Sequence, residues 1–243
     1  MNYNNNAFNN VEDRKYHNWD GYSLVYTYDF VKSLEPYLNM EEIDIIFEIG
    51  SRDGCQSMEL SDWFPNSTIH LFEPVEYSFN YCSQTQTVNR PNIKCHKMVL
   101  SNVTGKIDFY EVINGNIGDS SILEVKNNDS IILGNGEQLK IVADSMKGDD
   151  FINEYQIPKI DLIWMDVQGA EKFVLNGFNK NIQNVKAIYT EIAMDSHYKD
   201  GTNLDDLLLY MNNQGFIPIK YIGTPNQFTE FDIIFLNKKY KND

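Results

Sequence analysis

The chain has 243 residues, 42% of them hydrophobic and 13% aromatic, enough to fill one sizeable core. Its 35 acidic and 20 basic side chains leave a net charge of −15, which argues against a nucleic-acid binder, since displacing phosphate counterions needs a basic surface. No apolar run approaches the ~20 residues that span a bilayer, and three cysteines (Cys55, Cys82, Cys95) with no CxxC pair point to a reduced cytoplasmic protein rather than a disulfide scaffold or zinc site.

The start, MNYNNNAFNNVEDRKYHNWDGY, is Asn-rich and polar, without the basic and apolar regions of a secretory signal. Residues 23 to 38 have the periodicity of an amphipathic helix that closes near Pro36. Residues 1–40 are therefore expected to form a polar tail and helical cap, the Tyr-rich part acting as a lid or a packing helix, with one domain over 41–243.

That domain reads as an alternation. IDIIFEIG is a β-branched strand closed by glycine, CQSMELSDWF a helix broken by Pro65 and Asn66, and STIHLFEP a second strand ending on Glu73 and Pro74. A helix over about 76 to 88 follows, then IKCHKMVLS as a third strand. KIDFYEVI reads as an extra strand, the polar stretch from Asn114 to Gln138 as a long insertion, and LKIVAD as another strand. IDLIWM, VKAIYTEI and FIPIKYI continue the series, with helices between them. FIPIKYI and FDIIFLN are separated by only about eight residues, too few for a helical crossover, so they should pair antiparallel. The pattern predicts an α/β fold: a mostly parallel sheet with helices on both faces, made mixed by a C-terminal antiparallel hairpin.

In such a sheet, ligands bind beyond the carboxyl ends of the strands. The first strand runs into FEIGSRDGCQS, where Gly50 and Gly54 permit a sharp turn and close approach of backbone to a ligand. Glu48 can hold a cation or hydroxyl at the base of that loop, and Glu73, ending the second strand, can accept both hydroxyls of a ribose. The loop lacks the G-x-G-x-x-G spacing of dinucleotide sites, and Asp53 would repel a pyrophosphate. A nucleoside cofactor carrying positive charge, such as S-adenosylmethionine, suits it better.

IDLIWMDVQGAEKFVLNGF places Asp166 where an apolar strand halts before a Gly169 turn and a helix. Asp166 is expected to face the reaction centre; the competing reading makes it the cap of the helix. Glu171, one turn into the helix, either shares that pocket edge or simply suits a helix N-terminus. YTEIAMDSHY supplies Glu191 at a strand end, then Asp195 and His197. His197 is a candidate general base, or a solvated loop histidine. Asp166, Glu191 and Asp195 form an alternative set for a divalent ion, but no ligand spacing is diagnostic and no metal ligand is assigned.

Together these stretches resemble the FkbM family of S-adenosylmethionine-dependent methyltransferases, over about residues 43 to 236. EIGSRDGCQS is similar to the family's Asp/Glu-x-Gly-Ala-Asn-Asp-Gly-x-x-Ser loop, HLFEP to its Phe-Glu-Pro, and VLSNVTGKIDFY to its Ala-Leu-Ser-x-x-x-Gly-x-x-x-Phe-Tyr. GDSSIL resembles its Ser-Ser-Leu, and DVQGAE its most specific element, Asp-Val-Glu-Gly-Ala-Glu. The resemblance implies a class I methyltransferase (Rossmann-like) fold with a mixed seven-stranded sheet. It also implies methyl transfer, usually to an oxygen of a sugar or small metabolite, the acceptor itself being unnamed. Matched position by position, Glu48, Gly50, Ser51, Arg52, Asp53, Gly54, Ser57, Glu73, Pro74, Leu100, Ser101 and Asp166 are expected to bind the cofactor. Asp166, Glu171, Glu191 and His197 are the candidate catalytic residues. Arg52 stands where the family has asparagine and Gln168 where it has glutamate. These two departures support the alternative of an inactive nucleoside-binding module; a nucleotide-dependent oxidoreductase is the other alternative.

Overall fold

The computed structural model describes residues 24–128, 130–133, 136–223 and 230–241. The expected polar tail and the Tyr-rich start up to residue 23 lie outside the described residues.

Five parallel strands form most of the main sheet: β1 (Ile45–Ile49), β2 (Thr68–Phe72), β3 (Ile93–His96), β7 (Leu162–Met165) and β8 (Ala187–Ala193). The sheet closes with β9 (Phe216–Ile222) and β10 (Glu230–Asn237), in the order β3-β2-β1-β7-β8-β10-β9. β10 runs antiparallel to both β8 and β9, so the expected hairpin is present, with β10 inserted between its partners. The chain reverses direction after β1 in this order, so β1 and β7 flank the switch point where a ligand crevice opens.

Alternate residues of each strand face opposite sides. Phe47 and Ile49 of β1 join one apolar cluster with Phe151, Val174, Phe178, Leu207 and Met211. These come from α5 (Gly148–Glu154), α6 (Glu171–Gly177), the residue after it, and α7 (Leu204–Asn213). Ile46 joins the other cluster, with Phe30, Leu34 and Leu60 from α1 (Leu24–Leu34) and α2 (Cys55–Trp63). Helices therefore cover both faces. Phe30 meets Trp164 edge-on at 5.7 Å, and Trp164 stacks on Tyr189 at 3.5 Å, so α1 is packed into the domain core.

The run IKCHKMVLS is divided. A tight turn, with the Met98 N–H donating to His96 O at 3.0 Å, ends β3 and releases β4 (Val99–Ser101) into a second sheet. There β4 pairs parallel with β6 (Glu137–Lys147), which pairs antiparallel with β5 (Gly105–Ile113). The short α3 (Glu76–Tyr81) follows β2, and α4 (Ser130–Leu133) lies within the 114–138 stretch. That stretch folds back onto the domain through bridges Tyr110–Ser121 and Val125–Tyr198. No helix among the described residues is long and apolar enough to cross a membrane.

Candidate active site

A cavity of about 220 Å³ opens at the carboxyl edge of the main sheet. Its floor is set by one close approach. Gly50 has φ +81°, and a Cβ there would lie 1.8 Å from the carbonyl oxygen of Asp166. The Gly50 and Ser51 N–H groups both donate to Phe72 O, at 3.1 and 3.2 Å, which draws the loop after β1 across the end of β2.

Glu73 follows β2 and is 5% exposed. Its Oε2 accepts the Arg52 N–H at 2.7 Å and its Oε1 the Val75 N–H at 2.8 Å. Burial pushes its carboxyl up to about 8, against the two backbone donors. A carboxylate can accept about four hydrogen bonds, so each oxygen keeps a lone pair for a hydroxyl in the cavity. Pro74, Leu100, Arg52, Gly50 and Asp166 also line it.

Other residues expected at the cofactor stand behind the loop, outside the cavity lining. Glu48, 1% exposed, accepts the Ser57 hydroxyl, and burial raises it to about 8. The Glu48 and Ser57 side chains thus bind each other beneath the loop. The Ser51 hydroxyl lies 3.8 Å from Cys82 Sγ. Asp53 is fully buried: its Oδ1 takes the Cys55 N–H at 3.2 Å and its Oδ2 lies 3.4 Å from the Arg52 guanidinium. It holds the start of α2 from behind the cavity lining, and its electrostatic influence still reaches Arg52 and Glu73. Gly54, at φ +77°, N-caps α2 and faces Cys82 and Leu71. The Ser101 hydroxyl pairs with that of Ser145 at 2.8 Å and joins β4 to β6.

Asp166 lines the cavity, and the capping reading fails. α6 begins at Glu171 with Ala170 at its cap and no side-chain cap bond. Instead Asp166 Oδ1 accepts the amide nitrogen of Gln168 at 2.7 Å, and the same nitrogen donates to Glu191 Oε2 at 3.0 Å. Tyr198 orients that amide, its single hydroxyl proton lying between Gln168 Oε1 at 3.1 Å and Asp119 O at 2.9 Å. The Ser121 hydroxyl holds the backbone of Gln168 at 2.8 Å. Gln168 is thus a neutral double donor between two carboxylates.

Two further acids, missed in the sequence, complete the wall. Glu230 begins β10; because that strand runs backwards, its first residue lies at the carboxyl edge, opposite Ala193 of β8. The predicted hairpin carried that signal. Asp119 comes from residues 116–122, read as insertion but in fact a side of the cavity. Burial raises Asp119 to about 7, with Glu230 and Asp166 adding to the shift. Glu191, hydrogen-bonded to Asp166 and Glu230, is raised well above the usual range by burial and by Asp166, Glu230 and Asp232.

Two candidate catalytic residues lie outside this cavity. Glu171 and His197 face a separate space of about 10 Å³, which also touches Gln168, Glu191 and Glu230. Glu171 Oε1 accepts the Gly169 N–H at 3.0 Å, and burial raises the group to about 8. Asp195 turns outward, its side chain 85% exposed and 3.5 Å from Lys126. The Asp166–Glu191–Asp195 metal set is therefore not assembled.

Residues 37–218 match the methyltransferase FkbM domain. The chain belongs to the FkbM methyltransferase family. The 2-O-methyltransferase NoeI of Sinorhizobium fredii is 29% identical over 163 residues, 64% of this chain and 65% of that protein. The hexuronic acid methyltransferase AglP of Haloferax volcanii is 23% identical over 164 residues, 68% of this chain and 62% of that protein. The chain therefore matches somewhat less than two thirds of the length of these relatives. A Clostridium thermocellum structure assigned as an rRNA methylase superimposes with a TM-score of 0.50 at 10% identity, over 88% of this chain and 94% of that one. The FkbM resemblance and the class I methyltransferase sheet are both borne out. S-adenosylmethionine is the cofactor to be fitted here, and the cavity suits it. Glu73 has lone pairs to spare for ribose hydroxyls, Gly50 admits close approach, and Asp166 offers a carboxylate near the switch point.

Proposed function

We propose that this protein is an S-adenosylmethionine-dependent O-methyltransferase acting on a sugar or other small hydroxylated acceptor, in the cytoplasm. One observation carries the reading: a single cavity runs from Glu73 and Pro74, past Gly50 and Asp166, to Glu191 and Glu230. It offers a ribose acceptor at one end and a cluster of bases at the other. The relatives' names, a 2-O-methyltransferase and a hexuronic acid methyltransferase, support an oxygen acceptor on a carbohydrate. The net charge of −15 favours a small acceptor over a nucleic acid. The three cysteines are unpaired in the fold, which suits a reducing compartment.

When bound, the cofactor supplies a methyl group made electrophilic by its sulfonium. The chain's task is to hold the two reactants nearly in line, where a misplacement of about 1 Å can cost on the order of 100-fold. Glu73 fixes the ribose and Arg52 offers the cavity's guanidinium to a carboxylate. Gln168, held by Tyr198, fixes the carboxylates of Asp166 and Glu191. Asp166 receives the proton of the acceptor hydroxyl: burial raises its affinity for protons, while the Gln168 amide and the Arg52 guanidinium support its charged form.

Calorimetric titration with S-adenosylhomocysteine and with NAD, followed by transfer of labelled methyl from S-adenosylmethionine into sugar and metabolite pools, tests this. Binding of the nucleoside and label in an alkali-stable methyl ether are expected. Binding of NAD alone would favour the oxidoreductase, and nucleoside binding with no transfer to any pool would favour the inactive module.

A further inference from the structure

The loop after β1 turns most of its own donors inward. The N–H groups of Gly50 and Ser51 donate to Phe72 O, that of Arg52 to Glu73 Oε2, that of Gly54 to Ser51 O and that of Cys55 to Asp53 Oδ1. The Ser57 hydroxyl donates to Glu48. Elsewhere on the cavity wall the hydroxyls of Ser120 and Ser121 donate to Ile117 O and Gln168 O, and the Gln168 amide donates to Asp166 and Glu191. An anion entering this cavity therefore meets few free donors.

Arg52 is the exception, the only basic residue among the described residues lining the cavity. A guanidinium carries five N–H donors, and among the described residues this one makes a single hydrogen bond, 3.4 Å long, to Asp53 Oδ2. Burial works against its charge, yet Asp53 and Asp166 hold its proton affinity above the ordinary value. A second observation is conformational. Arg52 has φ +51°, a left-handed backbone that asparagine, the family's residue here, adopts far more readily than a long side chain does. Strained positions of this kind gather at ligand sites. On the facing wall Gly118 leaves room for the side chain: a Cβ there would lie 2.9 Å from Arg52 Cδ.

We propose, on the basis of the methyltransferase reading, that Arg52 is a specificity-determining residue whose guanidinium takes the carboxylate of S-adenosylmethionine. That carboxylate is the one anionic group of the cofactor, and a planar guanidinium matches it with two parallel, charge-assisted bonds. The loop's own N–H groups and the Ser57 hydroxyl, engaged within the protein, leave the task to this side chain. The residue that departs from the family pattern therefore decides which adenosyl compounds bind: those that keep the amino-acid carboxylate. Because a side chain supplies the selectivity, one substitution removes it without rebuilding the loop.

The test is calorimetric titration of the full chain with two probes: S-adenosylhomocysteine and its decarboxylated counterpart, S-adenosyl-3-thiopropylamine, which keeps the ribose, the sulfur and the amine. The first is expected to bind at least about tenfold tighter, the scale of one charge-assisted bond. Arg52→Asn, whose side chain suits the left-handed loop, should weaken S-adenosylhomocysteine by about the same factor and leave the decarboxylated compound bound no more weakly, so the preference disappears. Arg52→Lys keeps the charge without the fork and should recover part of it. Each variant is shown folded by its melt. Equal binding of the two nucleosides by the parent, an unchanged preference in Arg52→Asn, or no recovery in Arg52→Lys overturns the proposal. If neither nucleoside binds the parent, the methyltransferase reading falls and takes this proposal with it. If S-adenosylhomocysteine binds and only the preference fails, the carboxylate proposal falls alone.

Discussion

Gly50 and Asp166 touch through their backbones: a single added carbon on Gly50 would sit 1.8 Å from the Asp166 carbonyl oxygen. The contact brings the glycine loop and the carboxylate of β7 to one point, and it makes the first prediction sharp. Gly50→Ala must both adopt a left-handed φ and push β7 away, so we expect a loss of about 3 kcal/mol or more in urea melts. Gly215→Ala is the control. It has a similar φ, +89°, but nothing within 4 Å of the added carbon, so it should cost only about 1 kcal/mol. Equal losses at the two sites would mean that the Gly50–Asp166 approach is unimportant.

Glu73→Ala should show two effects. Removing the carboxylate leaves the Arg52 and Val75 N–H groups without their acceptor, which should lower stability by about 1–3 kcal/mol. It should also weaken S-adenosylhomocysteine binding by roughly 1.5–3 kcal/mol, the worth of a charged hydrogen bond. Calorimetry separates the two, and unchanged affinity in a destabilised variant would confine Glu73 to shaping the loop.

Gln168→Glu replaces the amide that donates to Asp166 and Glu191 with a third carboxylate. A buried charge without a partner typically costs a few kcal/mol, so the variant should lose roughly 3 kcal/mol at neutral pH. Acidification, which neutralises the cluster, should restore much of this. A variant as stable as the parent in melts at about pH 7 would show that the amide does not bridge the pair.

Glu171 gives a pH signature. Burial raises its carboxyl from 4.5 to about 8, so the folded chain keeps a proton there that the unfolded chain releases near 4.5. Its support for the fold is complete below the unfolded value and is lost as pH rises towards 8. Glu171→Gln keeps the acceptor for the Gly169 N–H and removes the titration. The melting temperature of the variant relative to the parent should therefore rise between about pH 5 and about pH 8. A flat difference would mean that Glu171 is ionised throughout.

The sequence alone determined the α/β class, the antiparallel closing hairpin and the family. Those follow from local pattern: apolar period, glycine and proline positions, and the DVQGAE stretch are all written in consecutive residues. It also marked Gly50, Glu73, Asp166 and Glu191 as residues of the sheet's carboxyl edge, because a buried strand can first afford a polar side chain where it ends. What it could not tell was which way the side chains of an irregular loop turn. Glu48, Ser51, Asp53 and Ser57 share a motif with Gly50 and Arg52 yet fold beneath it, where they meet one another, Cys82 and the start of α2. His197 is a candidate base or a solvated loop histidine in the sequence, and its loop carries it to the small separate space beside Glu191 and Glu230, outside the main cavity. Those two acids, with Asp119, come from segments distant in the chain. Only pairing β10 backwards against β8, and folding residues 116–122 over the sheet edge, brings them to one cavity. Charges gathered by long-range packing leave no mark in the local sequence, and that is why the acidity of the site was decided by the tertiary structure.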